Sequence, residues 1–138
     1  MNQVEFFGAK LQYEIDACDL NKAVRESGSV YEIVDARSER AYNMEHIKGA
    51  MNLPYSKMNE ETVKQLDKNK TYVTYCDGFG CNASTKGALR LSELGFKVKE
   101  LIGGIDSWKY EGHPIATNLT KEEYEEEMAC GPMCSCHN

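Results

Sequence analysis

The chain has 138 residues, a formal net charge of −6, 41% hydrophobic residues and 28% charged ones. That length suits one domain with one sizeable core, and no apolar run approaches the ~20 residues of a spanning helix. An acidic balance with scattered Lys and Arg argues against nonspecific nucleic-acid binding, which rests on a basic footprint. Neither a nucleic acid nor a membrane is therefore expected as a partner.

In chain order, Lys10 to Ile15 suit an opening strand, and Asp16 or Asp19 can cap a helix near Leu20 to Glu26. Gly28 and Ser29 interrupt it, and Val30 to Val34 read as a core strand ending at Asp35. A short helix over Ser38 to Tyr42, a short strand over Ala50 to Leu53 and a polar helix over Asn59 to Leu66 follow. Thr71 to Tyr75 form the clearest strand, being rich in Thr, Tyr and Val. From Ser84 to Leu94 the spacing of Ala88, Leu91 and Leu94, with Leu89 beside them, marks a helical face, which Gly95 ends. A strand over Lys97 to Leu101, a Gly103-Gly104 turn and a helix over Ile105 to Tyr110 complete the body. After Pro114 no strand is expected, only an accessory helix over 120–128 with a run of glutamates, then a cysteine-rich end. This alternation predicts an α/β fold with a mainly parallel central sheet covered on both faces. Residues 1–115 are expected as the domain and 116–138 as an acidic, Cys-rich extension.

Six cysteines are unevenly placed: Cys18 alone, Cys76 and Cys81 in one loop, and Cys130, Cys134 and Cys136 near the end. The opening residues show no basic segment followed by an apolar stretch and a cleavage site, so a cytoplasmic chain with reduced thiols is expected. Cys76 carries the most chemistry. It closes the strongest strand and opens Asp77-Gly78-Phe79-Gly80-Cys81-Asn82-Ala83, which leads into a helix. A thiol at a strand end, below a glycine-containing loop and a helix N-terminus, stands where backbone N–H groups can stabilise a thiolate.

Several ordered blocks resemble the rhodanese-like sulfurtransferase family over about residues 10–115. They are Asp35-Ala36-Arg37, Tyr42, His46-Ile47-Lys48-Gly49-Ala50, Asn52-Leu53-Pro54, Tyr75-Cys76 and Ser84-Thr85-Lys86-Gly87-Ala88. Leu94-Gly95-Phe96, Ile102-Gly103-Gly104-Ile105, Trp108 and Gly112-His113-Pro114 continue the series. The resemblance implies a three-layer rhodanese-like fold. It also implies a catalytic Cys76 that takes sulfane sulfur as a persulfide and passes it to a thiol or cyanide. A sulfane-sulfur donor and a thiol acceptor, including a thiol-bearing protein, would be the partners, with no cofactor and no metal.

The loop departs from the common family form, which has an arginine just before the helix-opening serine. Ala83 stands there, and the loop is about two residues longer. Without a guanidinium, tight binding of thiosulfate or a phosphate monoester is disfavoured, so phosphatase or arsenate reductase chemistry fits less well. Cys81, Cys130, Cys134 and Cys136 are candidates to resolve or relay sulfur, against passive roles, and the Cys134-x-Cys136 spacing is no zinc signature. Asp35 and Arg37 are read as an internal ion pair supporting the loops, and His46 as a turn-stabilising residue beside Tyr42. The competing functional reading is a non-catalytic redox-sensing or partner-binding module of the same fold.

Overall fold

The computed structural model describes residues 1–130. Five parallel strands form the central sheet in the order β1-β6-β5-β2-β4: β1 (Glu14–Ile15), β2 (Tyr31–Asp35), β4 (Met51–Asn52), β5 (Thr71–Tyr75) and β6 (Lys97–Leu101). Neighbouring strands run parallel throughout, with Asp35 opposite Tyr75 in the β2–β5 ladder and Thr74 opposite Glu100 in the β5–β6 ladder. The expected α/β architecture is thus present.

Helices cover both faces, because each parallel strand must be crossed over before the next. On one side α2 (Ala17–Arg25) and α6 (Gly104–Tyr110) bring Leu20, Ile105 and Trp108 onto Val73 and Tyr75. On the other, α4 (Glu60–Val63) and α5 (Ala83–Glu93) bring Val63 and Leu91 onto Val34 and Tyr72, with Met58 and Phe96. These two clusters, one on each face, form the core. The caps follow simple chemistry: Asp16 accepts from Asp19 N at 2.8 Å, and Asn59 and Thr62 form a capping box. Ser38 caps α3 (Glu39–Met44) by accepting from Ala41 N.

Three expectations are corrected. The segment expected as a strand from Lys10 is mostly helix: α1 spans Gln3–Tyr13, leaving only Glu14–Ile15 extended. Asn2 caps that helix by accepting from Glu5 N, and Lys10 pairs with Glu14 at i,i+4, so local bonds outweigh the strand reading. A strand does follow Pro114: β7 (Ile115–Ala116) pairs antiparallel with β3 (His46–Ile47), a ribbon too short to announce itself in the sequence. Leu89, placed beside the buried face of α5, is exposed, while Gly87 is buried close against Met58 and Ala36. The helix expected over 120–128 is α7 (Lys121–Ala129), capped by a Thr120–Glu123 box.

The extension after residue 116 lies against α3. Asn118 N donates to Asn43 O at 2.9 Å, Thr117 Oγ1 donates to the same carbonyl, and Arg40 pairs with Glu127. Among the described residues, no helix is long and apolar enough to cross a membrane.

Candidate active site

Cys76 lies immediately after β5, and the pleat sets its direction. Thr74 and Cys76 point towards α5, whereas Tyr75 points to the other face. Cys76 is buried and its thiol is free. The sulfur is 3.3 Å from Cys81 O and 3.5 Å from Ser84 Oγ, so its single thiol proton faces two acceptors. Ser84 Oγ in turn donates to Glu100 Oε2 at 2.7 Å, and Thr85 Oγ1 donates to the same oxygen at 2.6 Å. Thr74 Oγ1 donates to Ser84 O at 2.9 Å and fixes the first turn of α5 beside the sulfur.

The loop is held at both ends. Ile105 N donates to Cys76 O at 3.0 Å and Asp106 N to Asp77 O at 2.9 Å, so the start of α6 grips the first two residues. Cys81 N closes on Gly78 O at 3.2 Å, and Lys86 N bonds Asn82 O at 3.0 Å where α5 begins. Gly104 is required by space and conformation together. Its φ is +57°, and a Cβ there would lie 2.4 Å from Cys76 O. At Gly78 an added Cβ would lie 2.6 Å from Asp106 Oδ2. Phe79 and Gly80 form the exposed tip, Asn82 is exposed, and Ala83 is buried where α5 starts. Lys86 is turned to Tyr55, its Nζ 5.2 Å from that ring's centroid.

The supporting residues converge on the opposite face. Arg37 Nη2 bonds Asp35 Oδ2 at 2.8 Å and also donates to Glu45 O, while Nη1 is 3.4 Å from Asp77 Oδ1. Asp35 is fully buried and also accepts from Tyr75 Oη at 2.6 Å. Burial by itself would lower the Arg37 pKa, but the Asp35 bond and charge outweigh it, and the guanidinium is held still more firmly charged. Burial, followed by the Asp35 charge, raises the Tyr75 phenol above the ordinary tyrosine range. Tyr75 Oη accepts from Ile47 N at 3.0 Å, which ties β3 to this network. His46 is buried, bonds Tyr42 O through Nδ1 at 2.7 Å and stacks on the Tyr42 ring. Its contacts belong to the β3 turn.

Beside Asp77 a cleft of about 380 Å³ opens between α3, α6 and α7, lined among others by Arg37, Asp106, Lys109 and Tyr124. Cys130 is an exposed free thiol just beyond α7. Cys134 and Cys136 lie outside the described residues. Among the described residues no cluster of His, Cys, Asp and Glu is arranged to hold a metal ion.

Cys76 and its loop are legible together in the sequence, whereas Ser84 as a partner and Glu100 are not. The Thr74–Glu100 register across β5 and β6 brings that carboxylate to the helix start, and no local motif announces it.

Comparison with known proteins bears on this arrangement. Residues 16–111 match the rhodanese-like domain. The chain is 40% identical over 85 residues to the thiosulfate sulfurtransferase GlpE of Coxiella burnetii, covering 61% of this chain and 76% of that one. It is 33% identical to the thiosulfate sulfurtransferase PspE of Escherichia coli, covering 52% and 68% of the two chains. Among solved structures, the BH2092 protein from Bacillus halodurans superposes with a TM-score of 0.79 at 36% identity, over 90% of this chain and 96% of that one.

Proposed function

The chain belongs to the rhodanese-like domain family, and from that membership we propose that it is a sulfurtransferase carrying sulfane sulfur as a persulfide on Cys76. The observation that carries this reading is the free Cys76 thiol at the end of β5, enclosed by the loop from Asp77 to Ala83 and adjoining the first turn of α5. The similarity to proteins named thiosulfate sulfurtransferase supports the reaction class.

The cycle has two displacements. Cys76 thiolate attacks the outer sulfur of a donor, the donor's S–S bond breaks, and its electron pair leaves with the departing thiolate or sulfite. Cys76 then holds a persulfide anion. An acceptor thiolate or cyanide attacks the outer sulfur and takes it, which returns Cys76 to the thiolate. Electrons balance across the cycle, so no oxidant or cofactor enters. Splitting one transfer into two steps at a single nucleophile is ordinary covalent catalysis. The macrodipole of the 11-residue α5 favours negative charge near its N-terminus, where both anionic states form.

The donor follows from Ala83. A thiosulfate ion presents an oxyanion that a guanidinium would clamp, and Ala83 is buried and apolar while Lys86 is turned to Tyr55. Persulfides and polysulfides, which need no oxyanion clamp, are the preferred donors, and low-molecular or protein thiols the acceptors.

Intact-mass measurement of the reduced protein after brief exposure to each donor tests this. The expected result is a gain of about one sulfur, removed by cyanide and absent in Cys76→Ser, forming faster with polysulfide than with thiosulfate. Saturable selectivity for thiosulfate would sink the donor preference. No Cys76-dependent adduct with either donor would turn the reading to a non-catalytic module.

A further inference from the structure

Three hydrogen bonds around the sulfur have a consistent direction. The Cys76 thiol donates to Ser84 Oγ at 3.5 Å, and Ser84 donates its own proton to Glu100 Oε2 at 2.7 Å. The second acceptor at the sulfur is Cys81 O at 3.3 Å. In this state the sulfur meets oxygen lone pairs, an arrangement suited to a protonated thiol and poorly suited to an anion. Sulfur transfer, on the reading above, requires an anionic sulfur in both half-cycles.

Two roles for Glu100 are conceivable on this geometry, and magnitudes separate them. Passing the thiol proton through Ser84 onto a carboxylate is disfavoured about ten-thousand-fold by the ordinary acidities of the two groups. Fixing the direction of the Ser84 hydroxyl carries no such penalty. We propose that Glu100 is a positioning residue which holds the Ser84 proton away from Cys76, so that the thiol is kept protonated at rest and Ser84 becomes a donor to the anionic sulfur when Glu100 lets go. Glu100 is only partly buried, the penultimate residue of β6, and its Oε2 also takes the exposed Thr85 hydroxyl. Rotation towards water or loss of its charge therefore frees both hydroxyls at once. Ser84 is buried, so once freed its proton has the sulfur within reach.

The charged groups on the surrounding elements have partners of their own: Glu14, opposite Glu100 in the β1–β6 ladder, pairs with Lys10 at 2.8 Å. Arg37, at the end of β2, is bound to Asp35 and Glu45 O and lies near Asp77. Asp106 on α6 packs on Gly78, and Lys86 on α5 lies over the Tyr55 ring. Glu100 is the carboxylate in contact with the sulfur's own hydrogen-bond partner.

The proposal rests on Cys76 being the working sulfur, but its test needs no sulfur donor. The ultraviolet absorbance of the thiolate is followed against pH for each protein, with its own Cys76→Ser counterpart subtracted. The variants are Glu100→Gln, Ser84→Ala and the pair together. Glu100→Gln is expected to lower the Cys76 midpoint by about one pH unit, roughly a tenfold rise in thiolate near neutrality. In the Ser84→Ala background the same change is expected to move the midpoint by less than about a third of that. An unchanged or raised midpoint in Glu100→Gln overturns the proposal. So does an equal fall with and without Ser84, which would mean direct repulsion between charges. Glu100→Thr, a strand-favouring residue without a carboxylate, gives a second route to the same downward shift should the glutamine variant fold poorly. Because absorbance reports ionisation alone, failure of Cys76 to carry sulfur and failure of this hydroxyl arrangement are read separately.

Discussion

Tyr75 and Cys76 are consecutive at the end of β5, and pleating sends one to the Asp35–Arg37 network and the other to Ser84. The first is a support and the second the candidate nucleophile. Removing either partner of the buried Asp35–Arg37 pair would strand a charge, a loss of about 3–5 kcal/mol, which explains why the network is closed by Tyr75, Glu45 O and Asp77. The phenol has a measurable consequence. Its pKa is raised in the folded protein, by burial first and the Asp35 charge second, so the native state keeps a proton that the unfolded chain releases above about pH 10. The stability from this group is therefore complete below about pH 10 and falls above it by about 1.4 kcal/mol per pH unit. Urea unfolding between about pH 9 and 11 is expected to show that fall, shallower by the same slope in Tyr75→Phe. Equal slopes would show that the phenol does not titrate as described.

Elements differ in how much of the core they hold. Val73 and Tyr75 of β5, Leu91 of α5 and Trp108 of α6 are essentially inaccessible, whereas α1 has no buried residue and exposes Val4, Phe7 and Leu11. The link from α1 to the sheet is thin, one bond being Lys99 Nζ to Gln12 O at 2.6 Å. Local opening draws on such weakly packed segments. Hydrogen exchange is expected to find the α1 amides at least a hundred-fold less protected than those of β5, about 3 kcal/mol apart in opening free energy. Equal protection would mean that α1 unfolds only with the sheet. The same contrast explains the misread first element. With no buried stripe to shape its sequence, α1 forms through the Asn2 cap and the Lys10–Glu14 pair. Periodicity had little to report there.

For the whole molecule, the end of the body is set by long-range contacts. Trp108 Nε1 and Lys48 N both donate to Pro114 O, and β7 then pairs with β3 next to the Tyr75–Ile47 bond. A chain ending at Asn118 keeps these contacts, while one ending at His113 loses them. Thermal or denaturant unfolding is expected to rank the shorter chain lower by on the order of 3 kcal/mol, from several net hydrogen bonds and the lost ribbon. Equal stabilities would place the end of the folded body before Pro114.

Much of this architecture is written locally. The Thr71–Tyr75 strand, the helix over Ala83–Glu93 with its left-handed Gly95 stop, and the Gly103-Gly104 turn depend on residue type and spacing within one segment. So does the position of Cys76 at a strand end, because a strand, a loop and a helix start are all readable in succession. Other features depend on which segments become neighbours, and parallel pairing across crossovers sets that only when the chain is packed. Glu100 reaches Ser84 because β6 lies beside β5 in one register; Ile47 reaches Tyr75, and Ile115 reaches Ile47, across long stretches of chain. The sequence by itself determined the fold class and the place of the candidate nucleophile at a strand end, since both follow from short-range patterns. The direction of the hydroxyls around that sulfur was decided by the tertiary structure alone, because hydrogen bonds between distant segments exist only once those segments meet.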